Sequence, residues 1–313
     1  ARSAITALFS GPAAGVVGAT RQALRSGFGN IITFDMGGTS TDIAISEKGA
    51  LEFTHATMIG DYPLMLPVVS VSAIGSGGGS IVWSDPQGLL KVGPDSAGAA
   101  PGPACYALGG REATLTDAIL LLGYLDPAAF LGGRRQLSIE HAHKVIESRV
   151  ARPLGVTGEQ AALMIRDEAV TMMAELIAST LAEAGMDATQ AALFAFGGNG
   201  PMFGALAREH LGMDRAYAFD FGPVFGAFGA SVSDVAHVYE RGIGLPMNSD
   251  GMDALRQAAR QLYTQAVRDL EGEGFDPALA GYRYELEFGQ HERFSGSCRF
   301  ESASEPDAGW LDA

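Results

Sequence analysis

Two acidic residues, Asp35 and Asp42, enclose a short run of glycines and hydroxyl side chains: Gly37, Gly38, Thr39, Ser40 and Thr41. Glycines let backbone N–H groups point into a concavity and let an anion approach closely, and the hydroxyls can donate to phosphate oxygens. The two carboxylates cannot bind phosphate, but they can hold Mg²⁺ or orient a nucleophile. We therefore interpret residues 35–42 as a phosphate loop with a metal site rather than an ordinary Gly-Gly hairpin turn.

A second candidate loop contains Gly197, Gly198, Asn199 and Gly200. It follows a strand-like apolar run, residues 191–196, and precedes a helix predicted from Pro201 to about Leu211. A loop between a buried strand and a helix aims backbone N–H groups at whatever lies above it. The pattern has neither the spacing nor the lysine of the P-loop. It favours nucleotide contact, and a purely structural loop remains the alternative.

Three further segments can be interpreted either as functional or as structural. The glycine-rich residues 75–80 could cradle a ligand or only permit a sharp bend. Residues 93–110 read as an ordered loop near a site, in which Cys105 is more readily explained as inert packing than as a nucleophile. Asp117 lies in the first turn of a short helix that Thr116 could cap, so a structural role suffices, with a role on metal-bound water as the alternative.

The elements that must position these loops follow from periodicity and from glycine and proline placement. We predict strands on both sides of the Gly-Gly turn. A helix is predicted to begin near Pro12 and end near Gly27 or Gly29, and its spaced small residues predict close packing against another backbone. A core helix over residues 158–184 and a polar amphipathic helix over residues 250–271 are also predicted. The remaining predicted strands cover residues 50–55, 64–72, 81–83, 89–92, 215–220 and 235–245 and two runs within 281–300.

Composition limits the classes of function. The chain has 313 residues, enough for about two domains. Its net charge of −15 argues against nucleic acid and anionic membranes as partners. It has no apolar run long enough for a membrane helix and no visible signal peptide, and its two cysteines suit a reducing compartment, so we expect a cytoplasmic protein. Because the sequence begins at Ala1 without methionine, we expect a fragment or subunit of something larger.

Taken together, the motifs resemble the hydantoinase/oxoprolinase family, which includes ATP-dependent N-methylhydantoinase, 5-oxoprolinase and the related subunits of acetone and acetophenone carboxylases. The matching segments occur in the family's order. They are SGPAAGVVGA (10–19), FDMGGTSTD (34–42), GSGGGS (75–80), VGPDSAG (92–98), PGPACY (101–106), TD (116–117), GYLDP (123–127), FLGG (130–133) and FGGNGP (196–201).

The resemblance implies an α/β, actin-like ATPase fold with ribonuclease H-like lobes that apparently lacks its N-terminal portion. Residues 1–245 would form the incomplete ATPase core, and residues 246–313 a C-terminal α/β extension. ATP and Mg²⁺ (or Mn²⁺) are the implied cofactors, with Asp35 and Asp42 as metal ligands. On this template residues 35–42 are similar to a second phosphate loop and residues 197–201 to an adenosine loop.

The resemblance also implies partners and a reaction. A second subunit or a missing N-terminal half would complete the ATP site, and a large hydrolase-type subunit would join it in a hetero-oligomer. The expected reaction is ATP-dependent hydrolysis of a cyclic amide, of the hydantoin or 5-oxoproline type. The alternatives are a subunit of an ATP-dependent ketone carboxylase and a non-catalytic structural half-subunit.

Overall fold

The structure is a computed structural model that describes residues 10–54, 57–59, 62–64, 68–244, 249–289 and 297–302. It divides into two compact units, with the boundary between Ser233 and Asp234. The helices are α1 (Ser10–Arg25), α2 (Leu115–Leu121), α3 (Ile139–Ile146), α4 (Arg152–Leu154), α5 (Gly158–Glu183), α6 (Gly200–Leu211), α7 (Phe225–Val232) and α8 (Ser249–Gly272). No helix among the described residues is long and apolar enough to cross a bilayer.

The strands are mostly short. They are β1 (Ile31–Met36), β2 (Thr41–Glu47), β3 (Ala50–Leu51), β4 (Phe53–Thr54), β5 (Thr57–Ile59), β6 (Tyr62–Leu64), β7 (Val68–Val69), β8 (Ser72–Ile74), β9 (Ser80–Ser84), β10 (Leu90–Ser96), β11 (Ala192–Phe196), β12 (Ala216–Ala218), β13 (Tyr284–Gly289) and β14 (Ser297–Ser302). The single strands predicted over residues 50–55 and 64–72 are therefore wrong, because each span is broken into shorter pieces. Residues 55 and 65–67 of those spans lie outside the described part of the chain.

The first unit is organised around one mixed sheet with the order β12-β11-β1-β2-β3, in which β8 also pairs with β2. β1 pairs in antiparallel fashion with β2 and in parallel fashion with β11. Both β1 and β11 are buried almost throughout, as expected for strands covered on both faces. The α/β class predicted from the sequence is confirmed.

Alternate residues of β1 enter different cores, because successive side chains of a strand point to opposite faces. Ile32 and Phe34 belong to a core that includes residues of α2, α5 and α6. Ile31 belongs to a second core with Phe196 of β11 and Phe225 of α7. Helices therefore cover both faces of the sheet and fix the position of the β1–β2 connection.

The small residues of α1 allow a close approach to α7. A Cβ atom on Gly18 would lie 2.7 Å from the Cα atom of Gly229, and one on Gly229 would lie 1.8 Å from the carbonyl oxygen of Ala14. A side chain at either position would force the helices apart. The prediction that the first helix packs against another backbone is confirmed, and the N-terminus of α1 is fixed relative to the start of α7.

Helix α5 matches its predicted span, and a capping box between Thr157 and Gln160 begins it. Helix α2 has a different cap from the one predicted. The N-cap is Thr114, whose side chain forms a capping box with Asp117, so the assignment of the cap to Thr116 is wrong. Thr116 lies inside the first turn, where its hydroxyl is directed elsewhere.

The second unit contains α8 and the antiparallel pair β13–β14. The strand predicted over residues 235–245 is wrong, since residues 235–244 have no regular structure; residue 245 lies outside the described part of the chain. In this segment His237 pairs with Glu273 at 3.0 Å and Tyr239 donates to Asp269 at 2.8 Å. The alternating side chains are thus engaged by the end of α8 and the turn after it, and no strand of the described chain pairs with their backbone.

Candidate active site

A cleft of about 510 Å³ opens where three segments of the first unit meet. These are the N-terminus of α1, residues 35–42 between β1 and β2 (hereafter the acidic loop) and the residues around the start of α7. The lining residues are Gly11, Pro12, Asp35, Gly37, Ser40, Asp42, Pro223, Val224, Gly226 and Ala227. A larger depression of about 870 Å³ lies along α8, but it is lined by side chains of that one helix only. We therefore take the first cleft as the candidate site.

The two carboxylates of the cleft face one another, because Asp35 and Asp42 are directly opposed in the β1–β2 ladder. Burial, and to a lesser extent the charge of Asp42, raise the pKa of Asp35 to about 6. Burial also raises the pKa of Asp42, and a hydrogen bond with Ser40 opposes that shift. Among the described residues neither carboxylate forms a salt bridge. The pair therefore carries negative charge that no salt bridge from the described residues compensates.

A carboxylate pair of this kind fits a hard divalent cation such as Mg²⁺. The described residues contain no group of three or more His, Cys, Asp or Glu side chains placed to hold an ion. Mg²⁺ commonly takes one or two carboxylates and completes its shell with water and substrate phosphates. Asp35 and Asp42 fit that requirement, whereas a cage built only of protein ligands would need more donors than the cleft has.

The backbone of the acidic loop is fixed through its carbonyl groups. The oxygen of Gly37 accepts from the N–H of Gly78 at 3.1 Å and from Nδ2 of Asn199 at 2.9 Å, and the oxygen of Gly38 accepts from the N–H of Gly79 at 2.6 Å. In a trans peptide the C=O and N–H groups point in opposite directions. The N–H groups of Gly38 and Thr39 therefore point away from these donors, and neither has an acceptor within the described chain. Two adjacent free N–H groups form an anion-binding concavity.

Residues 75–80, hereafter the inner loop, are the buried support of the acidic loop. Besides the two donors just named, the N–H of Gly77 donates to Oγ of Ser80 at 2.8 Å. A Cβ atom on Gly77 would lie 2.5 Å from the nitrogen of Thr39. Gly77 is therefore needed for contact with another backbone, and the N–H groups of Gly77, Gly78 and Gly79 are engaged within the protein. Of the two readings of residues 75–80, a ligand cradle or a structural bend, the observed contacts favour the structural one.

Residues 197–200, hereafter the distal loop, are brought against the acidic loop from far along the chain. The N–H of Asn199 donates to the oxygen of Met36 at 2.9 Å. Gly197 has φ +83°, and a Cβ atom there would lie 2.4 Å from Oδ1 of Asp35. Gly198 faces open space. The structure thus unites the two loops that the sequence selected, although none of residues 197–200 lines the 510 Å³ cleft.

The hydroxyl residues of the acidic loop have different surroundings. Ser40 lines the cleft and Thr39 is exposed. Thr41 is fully buried, and its Oγ1 donates to the carbonyl oxygen of Ser76 at 2.5 Å. Its side chain is thus engaged in fastening the acidic loop to the inner loop, and it does not line the cleft.

Sequence reasoning missed one connection that holds this arrangement. Both the backbone N–H and Oγ1 of Thr116 donate to the oxygen of Gly78, at 2.8 and 2.6 Å. Asp117, fully buried, accepts from Thr114 and from the N–H groups of Ala104 and Cys105. The sequence pattern marked Thr116 and Asp117 as notable residues, but it did not show that Thr116 contacts the inner loop. No sequence pattern marked Pro223 and Val224, which line the cleft, as site residues.

The structure favours packing for Cys105. Its side chain is fully buried, and burial together with neighbouring Asp117 raises its pKa far above the usual range of a thiol. A thiol in these surroundings stays protonated and is a poor nucleophile.

Comparison with known proteins establishes the family of the chain. The sequence profile of the hydantoinase/oxoprolinase family matches residues 1–239, which include every residue of the cleft. The chain belongs to the hydantoinase/oxoprolinase family. The family resemblance recognised from the motifs is therefore confirmed.

Two curated relatives of this family member are the acetophenone carboxylase gamma subunit of Aromatoleum aromaticum and the caprolactamase subunit alpha of Pseudomonas jessenii. The first is 35% identical over 286 residues, which cover 88% of this chain and 39% of the relative. The second is 38% identical over 276 residues, which cover 87% of this chain and 39% of the relative. The chain thus spans about two fifths of the length of these relatives.

Two solved structures resemble the whole fold. The nucleotide-free structure of an acetone carboxylase that carries out ATP-dependent acetone carboxylation has a TM-score of 0.77 and 26% identity, over 96% of this chain and 44% of that one. The ATP-dependent caprolactamase from Pseudomonas jessenii has a TM-score of 0.76 and 32% identity, over 97% of this chain and 44% of that one. These matches confirm the predicted fold class.

Proposed function

We propose that this chain provides one wall of the ATP site of an ATP-dependent cyclic-amide hydrolase. The observation that carries the proposal is the acidic loop, where two free backbone N–H groups lie beside a pair of uncompensated carboxylates. An anion site next to a cation site is the combination that a nucleoside triphosphate bound to Mg²⁺ requires.

Each part of the cleft has a role in this proposal. Asp35 and Asp42 hold Mg²⁺, and the N–H groups of Gly38 and Thr39 hold phosphate oxygens, with the Ser40 hydroxyl beside them. Gly11 and Pro12 place the positive end of the α1 dipole on the opposite wall. ATP supplies the phosphoryl group that activates a carbonyl oxygen of the substrate, and the chain's share is to position that group and neutralise its charge. Contact between the glycines of the distal loop and the nucleoside remains part of the proposal.

The amide-hydrolase reading rests on sequence similarity. Among the curated relatives, identity with caprolactamase is 38% and with the acetophenone carboxylase subunit 35%. Among the solved structures, identity is 32% with caprolactamase and 26% with acetone carboxylase. A lactam, hydantoin or 5-oxoproline ring is the corresponding substrate class. A ketone carboxylase subunit is the second candidate, because the fold matches acetone carboxylase at a TM-score of 0.77.

A third candidate, a non-catalytic structural half-subunit, is disfavoured by the intact carboxylate pair. Since the chain spans about two fifths of its relatives, we propose that further polypeptide completes the ATP site, either in the same chain or in a second subunit. A large hydrolase-type subunit would complete a hetero-oligomer. Residues 1–245 would be the ATPase core and residues 246–313 an α/β extension, in a cytoplasmic enzyme.

The test is an ATP-hydrolysis assay on the full-length protein together with its partner subunits. Caprolactam, hydantoin, 5-oxoproline, acetone and acetophenone would each be supplied, with and without bicarbonate. We expect phosphate release that depends on a cyclic amide and does not need bicarbonate. Turnover only with a ketone and bicarbonate would establish the carboxylase instead. Failure to bind ATP at all would establish the non-catalytic reading.

A further inference from the structure

The side-chain amide of Asn199 lies at a junction of three loops. Its Nδ2 donates to the oxygen of Gly37 at 2.9 Å, and the same oxygen accepts from the N–H of Gly78 at 3.1 Å. A Cβ atom on Gly78 would lie 2.6 Å from that Nδ2. One carbonyl group of the acidic loop is thus held jointly by the inner loop and the distal loop, which saturates its two lone pairs.

Holding that carbonyl determines the direction of the neighbouring amide. The Gly37–Gly38 peptide lies between two glycines, which lack the backbone restriction that a Cβ atom imposes, so its hydrogen bonds largely determine its orientation. If the carbonyl turned toward the cleft, the N–H of Gly38 would turn inward and a carbonyl oxygen would face the phosphates. The Asn199 amide opposes that rotation, because rotation would break its hydrogen bond.

We propose that Asn199 is a positioning residue that orients the Gly37–Gly38 peptide for phosphate binding and does not itself contact the nucleotide. This inference rests on the proposed ATP site and assigns a specific action to a residue that the sequence suggested only as a direct ligand. It also gives the distal loop a role in phosphate binding from a position outside the cleft lining.

The test compares three variants of the full-length protein with its partner subunits. Asn199→Ala removes the donor and the volume. Asn199→Asp keeps the volume but replaces the donor with an acceptor that repels the Gly37 oxygen. Asn30→Ala is the matched control, because the Asn30 side chain likewise forms a hydrogen bond with backbone, its Oδ1 accepting from the N–H of Lys48. Asn30 lies at the opposite end of β1. The readouts are the KM for ATP and inhibition by inorganic tripolyphosphate and by adenosine.

We expect Asn199→Ala to weaken the binding of ATP and of tripolyphosphate by a common factor of about tenfold, the contribution of one hydrogen bond. The binding of adenosine should not change. Asn199→Asp is expected to be at least as impaired, and Asn30→Ala to match the parent in all three readouts. Equal weakening of adenosine binding and ATP binding would show direct contact between Asn199 and the nucleoside and overturn the inference. If Asn199→Asp bound ATP as well as the parent does, Asn199 would act only by filling space, and the inference would also be overturned. Absence of ATP turnover in the parent would instead refute the proposed function.

Discussion

The acidic loop and the inner loop are both rich in glycine, and they meet through backbone hydrogen bonds, yet their surroundings are opposite. Gly38 of the acidic loop is exposed, and a Cβ atom added there would meet no atom within 4 Å. Gly77 of the inner loop is buried, and a Cβ atom there would lie 2.5 Å from Thr39. Gly77, Gly78 and Gly79 of the inner loop donate their N–H groups to protein acceptors, whereas two N–H groups of the acidic loop have no acceptor among the described residues.

The comparison teaches what a glycine-rich sequence does and does not specify. Glycine permits a close approach, but the approaching group can be a ligand or another backbone. Here one loop supports the other, so that carbonyl groups of the acidic loop are held inward and its N–H groups are presented outward. A binding loop and its support can thus have almost the same composition.

The largest expected effect would establish that the acidic loop is the functional member of the pair. Asp35→Asn and Asp42→Asn should each lower ATP turnover by at least about 100-fold, since losing an outer-shell partner of a metal already costs 10–100-fold. Steady-state kinetics at saturating Mg²⁺ would measure this, with circular dichroism to confirm folding. Asp95→Asn, at an exposed residue of β10 outside the cleft lining, is the control for removal of one surface charge. Unchanged turnover in both variants would refute the assignment.

The second prediction separates the two loops by stability. Gly77→Ala should lower the free energy of unfolding by about 1–3 kcal/mol, because the methyl group would displace the backbone of the acidic loop. Gly38→Ala should change it by no more than about 0.5 kcal/mol, since its methyl group enters open space. Gly38→Ala should instead raise the KM for ATP. Chemical denaturation would measure the free energy of unfolding of both variants, and steady-state kinetics would measure their KM for ATP. A Gly77→Ala protein as stable as the parent would contradict the supporting role of the inner loop.

The third prediction concerns pH. The pKa of Asp35 rises from 3.8 to about 6 on folding, so the folded state holds more protons between these values and stability from this group falls as pH rises through that interval. Asp35→Asn should therefore gain stability relative to the parent between pH 3.8 and about 6, and keep that gain above it. Mg²⁺ should raise the melting temperature of the parent more at pH 7 than at pH 4. A pH-independent difference between variant and parent would contradict the assigned environment.

The smallest expected effect sharpens the role of the inner loop as a support. Thr116→Val removes the hydroxyl that donates to the Gly78 oxygen at 2.6 Å, and should lower the free energy of unfolding by about 1 kcal/mol. Thr116→Ser keeps the donor and should lose less. The backbone N–H of Thr116 still serves the same oxygen, which limits the loss. Equal stability of the Val and Ser variants would show that the hydroxyl contributes nothing.

Much of the fold was predictable because local patterns were strong. The hairpin around Gly37 and Gly38 and the long helix α5 were predicted within a few residues. The strand predicted at residues 235–245 failed, because alternation of side chains does not show whether a partner strand is available. The cap of α2 was misplaced by two residues, since Thr114 and Thr116 both qualify and only the direction of each hydroxyl distinguishes them.

The sequence by itself determined the family, the α/β class and the two loops that contain Asp35 and Asn199, because these depend on residue types at short spacings. Only the tertiary structure decided which groups face the cleft. The Thr41 side chain points into the protein, and the inner loop supports the acidic loop. Asn199 donates to the Gly37 carbonyl although the two residues are 162 positions apart in the chain. The physical reason is that hydrogen-bond direction depends on which backbone lies next to each loop, and packing of distant elements sets that neighbour.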